Sequence, residues 1–231
     1  MLHRPELQGN RRGVVSSPKT YTPALRFHRL TGAYDWVLSR AMPEKAFKSA
    51  LLSQASIAPA HRVLDFGCGT GTLTLMAQAA VPEAQVMGVD VDEGALTIAR
   101  SKVASENSAV TFLKISSGLL PFEDGSFDLV LSCLVFHHLQ RDEKVAALAE
   151  CRRVLRPSGV IDIADWGHPG TSLLRAGFFL TQLLDGFETT GDNVRGRMPE
   201  LITQAGFLDV LDTGHFPTVF GSLRLLRGRA I

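Results

Sequence analysis

The sequence predicts an α/β fold in which helices cover both faces of a mostly parallel sheet. Three observations carry this prediction. Short apolar runs alternate along the chain with segments of helical periodicity, as in successive strand–helix–strand units. The first apolar run passes directly into a loop that contains Gly67, Gly69 and Gly71. The second run ends in an acid, Asp90, where a carboxylate accepts hydrogen bonds from ribose hydroxyls in doubly wound folds.

The individual elements follow from this alternation. Strands are predicted at 62–66, 85–89, 109–113, 127–133 and 159–164, and helices between them at 71–80, 93–105 and 141–155. The rhythm changes after Asp165, where helices are predicted at 172–184 and 196–205. Two closing runs, 207–212 and 216–226, flank Thr213-Gly214 and predict an antiparallel pair added to the edge of the sheet.

The start of the chain is predicted to be a flexible arm over residues 1–23, because prolines and glycines interrupt every period there. Its Arg-rich and acid-poor composition is also that of a transit peptide, whereas a secretory signal is not visible. Two helices are predicted next, at 24–42 and 43–57. The apolar run at 173–184 is shorter than the roughly 20 residues that span a bilayer, so no membrane segment is expected.

Length and composition exclude several classes of protein. A chain of 231 residues can form one α/β domain with added elements, or at most a domain and a half, and 45% apolar and 20% charged residues are typical of a globular protein. The net charge of +1 argues against a dedicated nucleic-acid binder. Cys68, Cys133 and Cys151 form no C-x-x-C pair, so neither a metal site nor a disulfide framework is predicted, and a cytoplasmic location is expected.

The glycine loop reads D-F-G-C-G-T-G at 65–71 and admits few interpretations. A dinucleotide fingerprint requires a third glycine where this chain has Thr72. A phosphate loop of NTPases requires a Lys after the glycines, and none is present. A structural turn without a ligand is the plain alternative. The loop together with Asp90 favours a nucleoside-binding site.

Four segments resemble class I S-adenosylmethionine (SAM)-dependent methyltransferases, especially the ubiquinone/menaquinone biosynthesis C-methyltransferases with their type 11/25 methyltransferase domain. They are VLDFGCGTG (63–71), VMGVDVDEGALTIAR (86–100), LLPFEDGSFDLVLSCLVFHHL (119–139) and RRVLRPSGVIDIAD (152–165). The resemblance implies a Rossmann-like, seven-stranded sheet of order 3-2-1-4-5-7-6 with SAM as the cofactor. It also implies one methyltransferase domain over 24–231, with N-terminal lid helices at 24–57 and a substrate-covering insert at 168–200.

The resemblance assigns a role to each group around SAM. Gly67 and Gly69 let the backbone approach the amino-acid tail and the ribose, and Asp65 holds the ammonium directly or through water. Asp90 takes the ribose hydroxyls, or else it is an exposed acid at a strand end that caps the next helix; Asp92 is predicted to be the N-cap. The remaining positions expected at the cofactor are Tyr34, Cys68, Val91, Ser116, Ser117, Cys133 and Leu134.

Tyr34, Cys68 and Cys133 have open alternatives, and Ser116 departs from the family pattern. Tyr34 either folds over the cofactor or is a half-buried core tyrosine. Cys68 and Cys133 either sit near one pocket or are small buried apolar residues. Ser116 stands where the family has the acid that binds the adenine amino group, so its hydroxyl accepts a hydrogen bond without the assistance of a charge.

Methyl transfer is an in-line displacement that depends on positioning, and it needs a general base only when the acceptor must lose a proton. His137 and His138 follow strand four, where either can act as that base or simply pack; Asp165 and His168 are weaker candidates, and no catalytic residue is assigned. The apolar segment 171–186 is either a roof over a hydrophobic substrate or ordinary packing on the sheet.

The sequence therefore predicts methyl transfer from SAM to a small, apolar acceptor, with lipid-like quinones suggested by resemblance alone. A non-catalytic SAM-binding module, an NAD(P)-dependent oxidoreductase and a protein or RNA methyltransferase are the alternatives. The near-neutral charge speaks against RNA. The acceptor, the methylated atom and the oligomeric state are not determined by the sequence.

Overall fold

The computed structural model describes residues 44–106, 108–116, 119–218 and 220–231. Tyr34, Ser117, the predicted arm at 1–23 and the predicted helix at 24–42 lie outside the described residues. Within the described part of the chain, every helix falls short of the length and apolar character needed to cross a bilayer.

The sheet has seven strands in the order β3-β2-β1-β4-β5-β7-β6, which confirms the predicted topology. Strands β1 to β5 pair in parallel, and β7 pairs antiparallel with both β5 and β6. The strands are β1 (Arg62–Phe66), β2 (Gln85–Asp90), β3 (Thr111–Lys114), β4 (Phe127–Cys133), β5 (Leu155–Gly167), β6 (Leu208–Thr218) and β7 (Gly221–Arg229).

Seven helices accompany the strands in the described residues. They are α1 (Glu44–Ala55), α2 (Thr72–Ala80), α3 (Glu93–Glu106), α4 (Arg141–Val154), α5 (Ser172–Asp185), α6 (Phe187–Val194) and α7 (Met198–Gln204). A 3₁₀ turn, Phe136–His138, follows β4.

Two apolar layers cover the two faces of the sheet. Consecutive strand residues point to opposite faces, so Leu64 packs in one layer and Val63 in the other. The first layer includes α4 and α7, and the second includes α1, α2 and Phe178 of α5. Because both faces of the central strands are buried, these strands are apolar along most of their length. In open sheets covered on both faces, ligands bind outside the carboxyl ends of the strands.

The antiparallel pair is present, but the predicted boundary between its two strands at Thr213-Gly214 is wrong. Strand β6 continues through both residues, and the register shifts between Asp212, which pairs with Leu226, and Gly214, which pairs with Leu225. Thr213 is thus the extra residue of a β-bulge, and its hydroxyl donates to the carbonyl of Leu225 at 3.1 Å. Bulges and turns use the same small and polar residues, so the local sequence did not distinguish them.

Two other boundaries differ from prediction. Strand β5 begins at Leu155, earlier than the predicted residue 159, because Leu155 pairs with Phe127 and the amide of Ser158 donates to the carbonyl of Ala230. Helix α6, at Phe187–Val194, was not predicted at all. It carries Gly191 and three buried polar side chains, Thr190, Asp192 and Asn193, so it lacks the apolar stripe that normally identifies a helix.

Candidate active site

The glycine loop joins β1 to α2 at the carboxyl edge of the sheet. Gly67, Gly69 and Gly71 all have positive φ (73°, 52° and 76°), a conformation that disfavours residues with a Cβ. A Cβ at Gly67 would lie 2.3 Å from Val135 Cγ2. A Cβ at Gly69 would meet no atom of the described residues within 4 Å. Gly67 is therefore required for packing, whereas Gly69 borders open space.

Asp65 lies in β1 just before this loop and is almost completely buried. Its Oδ2 accepts a hydrogen bond from Thr74 Oγ1 at 2.6 Å, and its buried Oδ1 has no partner among the described residues. Burial raises the pKa of Asp65 to about 6, although the Thr74 hydrogen bond acts in the opposite direction. A buried carboxylate oxygen without a donor fits the ammonium group of an amino acid.

Asp90 ends β2 and is tied to the glycine loop. Its Oδ2 accepts from the amide of Gly69 at 2.8 Å, and its Oδ1 accepts from the amide of Asp92 at 2.9 Å. A carboxylate oxygen accepts two hydrogen bonds, so both oxygens of Asp90 keep capacity for ribose hydroxyls. Helix α3 is capped by Asp92, whose Oδ1 accepts from the amide of Gly94 at 2.7 Å, as the sequence predicts.

The remaining predicted positions surround this edge at different depths. Val91 is half-buried, and Ser116 is exposed. Ser116 lies beside the end of β2, because the amide of the preceding residue, Ile115, donates to the carbonyl of Asp90 at 2.9 Å. Leu134 follows β4 with a positive φ of 59°. Its amide donates to the carbonyl of Ala164 at 2.8 Å, which ties this turn to β5.

The two cysteines named from sequence both pack against neighbouring residues of the sheet and its covering layer. Cys68 is buried against β2, since a Cβ at Gly88 would lie 2.8 Å from its Sγ. Cys133 packs against the apolar layer that contains α1. Burial raises the pKa of the Cys68 thiol far above its usual value and raises that of Cys133 to about 12. Both thiols therefore stay protonated at neutral pH.

A histidine and an aspartate that the sequence treats separately are in contact. Asp165 Oδ1 lies 2.7 Å from His137 Nδ1, and its Oδ2 accepts from the amide of His137 at 3.3 Å. Burial opposes the ionisation of Asp165, but the attraction of His137 and the hydrogen bonds hold its pKa below the usual value. His137 is buried, whereas His138 is exposed with its ring 3.9 Å from that of His137.

Other polar residues of this edge escaped sequence analysis. Lys102 of α3 donates from Nζ to the carbonyl of Thr70 at 2.9 Å and to Thr72 Oγ1 at 3.2 Å, which fixes the outer side of the loop. Lys144 of α4 is fully buried and donates to the carbonyl of Thr189. For Thr74, the sequence did offer a local signal. It lies among the buried positions of α2, and a buried hydroxyl needs a hydrogen-bond partner.

Two cavities are lined by residues of β5, α5 and their neighbours. One, of about 280 Å³, has polar walls that include His168, Asn193, Arg195 and Arg224, and no predicted cofactor residue lines it. The other, of about 460 Å³, runs along α5 beside Ser172, Arg175, Ala176 and Phe179. His168 thus belongs to the first cavity.

The sheet order, the glycine loop and the spaced acids define the class of SAM-dependent methyltransferases. A methyltransferase domain model matches residues 63–159. The ubiquinone/menaquinone biosynthesis C-methyltransferase UbiE of Burkholderia cenocepacia (strain HI2424) is 32% identical over 166 residues, covering 71% of this chain and 68% of that protein. The UbiE of Burkholderia multivorans is 31% identical with the same coverage. The chain belongs to this methyltransferase family, and its cofactor is SAM.

Solved structures show the same fold at low sequence identity. A SAM-dependent methyltransferase from Aquifex aeolicus superposes with a TM-score of 0.63 at 18% identity, covering 85% of this chain and 98% of that one. Phosphoethanolamine N-methyltransferase 2 of Haemonchus contortus, in complex with SAM, superposes with a TM-score of 0.62 at 23% identity. The superposition covers 78% of this chain and 42% of the Haemonchus contortus chain.

Proposed function

We propose that the chain transfers the methyl group of SAM to a small, apolar acceptor bound at the carboxyl edge of the sheet, beside the insert that follows β5. The observation that carries this proposal is an exposed apolar surface on α5 and the start of α6. Its large members, 50 to 82% exposed, form what we call the insert surface: Leu173, Phe179, Leu183 and Phe187.

The insert surface is held in place by the rest of the insert. Phe178, the neighbour of Phe179, is fully buried and packs edge-on against Trp166 of β5, with 5.5 Å between the ring centroids. The rings of Phe179 and Phe187 lie 5.6 Å apart, so the exposed apolar residues of the two helices meet at this pair. Contiguous exposed apolar patches mark binding sites for apolar molecules or partners.

The names of the relatives support an apolar acceptor. The UbiE proteins are C-methyltransferases of ubiquinone and menaquinone biosynthesis. We propose a related acceptor for this protein, namely an aromatic ring with an apolar chain. An aromatic carbon nucleophile of this kind matches the apolar insert surface better than a charged acceptor does. We likewise propose that residues 168–200 form the substrate-covering insert.

The cofactor arrangement proposed from the structure uses the residues around the glycine loop. SAM supplies a methyl group on a positively charged sulfur. Asp65 binds its ammonium, the backbone at Gly67 and Gly69 borders its tail, and Asp90 accepts from its ribose hydroxyls. The adenine contacts proposed are Val91, Ser116, Ser117, Cys133 and Leu134, with Cys68 beneath the loop and Tyr34 above the cofactor.

His137 and Asp165 have a positioning role in this proposal. Their contact fixes the 3₁₀ turn after β4, and Val135 at the start of that turn packs against Gly67 of the glycine loop. The turn and the loop therefore hold each other at the edge where acceptor and cofactor meet. Since His137 is buried, we assign it no proton transfer.

The test is a transfer assay with SAM labelled in its methyl group. The acceptor panel contains apolar phenols and quinols with and without an isoprenoid chain, water-soluble amines, a mixed protein extract and transfer RNA. We expect the label to enter the organic phase only with the apolar aromatic acceptors. Binding of SAM without transfer to any of them, or transfer only to water-soluble acceptors, would contradict the proposal.

A further inference from the structure

Helix α1 is anchored to the sheet at its carboxyl end. The side chain of Gln54 donates to Asp162 Oδ1 in β5, and Arg227 donates both to the carbonyl of Gln54 and to Asp162 Oδ2, the latter at 2.8 Å. Asp162 is in register with Leu131 of β4, which is in register with Asp65 of β1. The end of α1 therefore lies level with Asp65.

The other end of α1 points to the carboxyl edge of the sheet, because the chain leaves α1 for the amino end of β1. Lys48 precedes Gln54 along this helix by roughly 9 Å, at a rise of about 1.5 Å per residue. A strand advances by about 3.3 Å per residue, so this distance corresponds to roughly three residues beyond Asp65. Lys48 is thus level with the glycine loop.

Lys48 and Asp65 also share a face of the sheet. Val63 packs in the same apolar layer as Phe47 and Leu51 of α1, and Asp65, two residues later in the strand, points to the same side. Lys48 follows Phe47 directly on the inner side of α1, and its side chain is only 12% exposed. Lys45 of the same helix is exposed.

The charges around Lys48 agree with this placement. Its Nζ lies 2.5 Å from Oε1 of Glu44, whose side chain is 49% exposed. Burial raises the pKa of Asp65 and of Cys133, and in both cases the positive charge of Lys48 opposes the rise. An ammonium group has three donors, so the contact with Glu44 leaves Lys48 able to bind a second anion.

We propose that Lys48 binds the carboxylate of the amino-acid part of SAM, while Asp65 binds its ammonium. The two side chains complement the two opposite charges of an α-amino acid at the same end of the glycine loop. This inference rests on the cofactor arrangement proposed above, and it adds a cation that neither the glycine loop nor the spaced acids supply.

The experiment compares two ligands by calorimetry. S-adenosylhomocysteine carries the amino-acid group, whereas 5′-methylthioadenosine has the same nucleoside and thioether without it. We expect Lys48→Gln to weaken binding of S-adenosylhomocysteine by tenfold or more, since a charge-assisted hydrogen bond is lost. Binding of 5′-methylthioadenosine should change by less than about twofold, because no contact to the nucleoside is removed.

Two further variants complete the test. Lys45→Gln removes the same charge from the exposed side of the same helix and should leave both affinities unchanged. Lys48→Arg keeps the charge and should restore much of the affinity for S-adenosylhomocysteine. If Lys48→Gln binds S-adenosylhomocysteine as the unmodified protein does, or loses equal affinity for both ligands, the role of Lys48 is overturned while the cofactor arrangement stands. Failure of the unmodified protein to bind either ligand overturns the cofactor arrangement itself.

Discussion

Asp65 Oδ2 and Thr74 Oγ1 are joined by a 2.6 Å hydrogen bond that spans the glycine loop from β1 to α2. The bond uses one oxygen of a buried carboxylate and leaves the other without a partner among the described residues. The loop is thereby closed around an acid that still needs a donor. This combination supports the proposal that the loop binds a ligand and is more than a structural turn.

Binding of S-adenosylhomocysteine should depend on pH through Asp65. Its pKa is raised to about 6 by burial, so the carboxylate is largely neutral at pH 5 and ionised at pH 8. An ammonium ligand prefers the ionised form, and the affinity should therefore rise as the pH increases through about 6. Calorimetry between pH 5 and 8 measures this, and in Asp65→Asn the affinity should be weaker and the rise near pH 6 absent.

The raised pKa of Asp65 should also make the unfolding free energy fall as the pH rises, whereas the ligand affinity rises. An acid whose pKa is raised in the folded state stabilises the fold below its ordinary value of 3.8, and this contribution is lost as the pH rises through about 6. We therefore expect Asp65→Asn to reduce the fall in unfolding free energy over this interval. Urea unfolding at pH 5 and pH 8 tests it, and an unaltered pH dependence would contradict the raised pKa.

Asp90→Ala should weaken binding of SAM by about 1–3 kcal/mol, because hydrogen bonds to ribose and to the amide of Gly69 are lost together. Asp92→Ala is the matched control. It removes the cap of α3 and should lower the unfolding free energy by about 1 kcal/mol while leaving SAM affinity unchanged. Equal affinities of Asp90→Ala and the parent protein in calorimetry would remove Asp90 from the site.

Substitutions at the first two loop glycines should lower the stability of the fold by different amounts. Gly67→Ala should cost roughly 2–4 kcal/mol of stability, since its Cβ collides with Val135 and its φ is positive. Gly69→Ala meets no neighbour and should cost only the roughly 1–2 kcal/mol of a left-handed conformation. Urea unfolding measures both, and adding Val135→Ala should recover part of the loss in Gly67→Ala alone.

Asp165→Asn should lower the unfolding free energy at pH 7 by about 1–3 kcal/mol, because the buried His137 loses its charged partner. The pKa of Asp165 is held below its ordinary value, so its stabilising contribution is present above 3.8 and is lost as the pH falls through the folded pKa. The variant should show a smaller loss of stability in acid. Asp209→Asn, at an exposed ion pair with Arg229, should change stability by less than about 1 kcal/mol.

The insert surface should affect the acceptor and not the cofactor. Phe179→Ser and Leu183→Ser should raise the KM for an apolar acceptor several-fold, because each removes exposed apolar area from the proposed contact. Affinity for S-adenosylhomocysteine should stay the same. Leu119→Ser, at a 77% exposed leucine outside the insert, is the control and should change neither constant. A change in the cofactor affinity of the insert variants would contradict their assignment to the acceptor.

Much of the fold, and the elements from which the proposed cofactor site is built, were predictable from the sequence because their signals are local. The glycine loop, the acid at the end of β2 and the cap at Asp92 each lie within a few residues of the element that they serve. Alternating apolar runs indicated a parallel sheet, and family resemblance supplied the strand order that the structure confirms.

Tertiary structure alone decided which distant residues meet. The contact of His137 with Asp165, the hydrogen bond from Gln54 to Asp162 and the bulge at Thr213 each join segments that only the pairing of β4, β5 and β7 brings together. The placement of Lys48 level with the glycine loop depends on the same pairing. Periodicity shows which side of an element is buried, but the identity of the neighbour depends on strand register, which is set by the whole sheet.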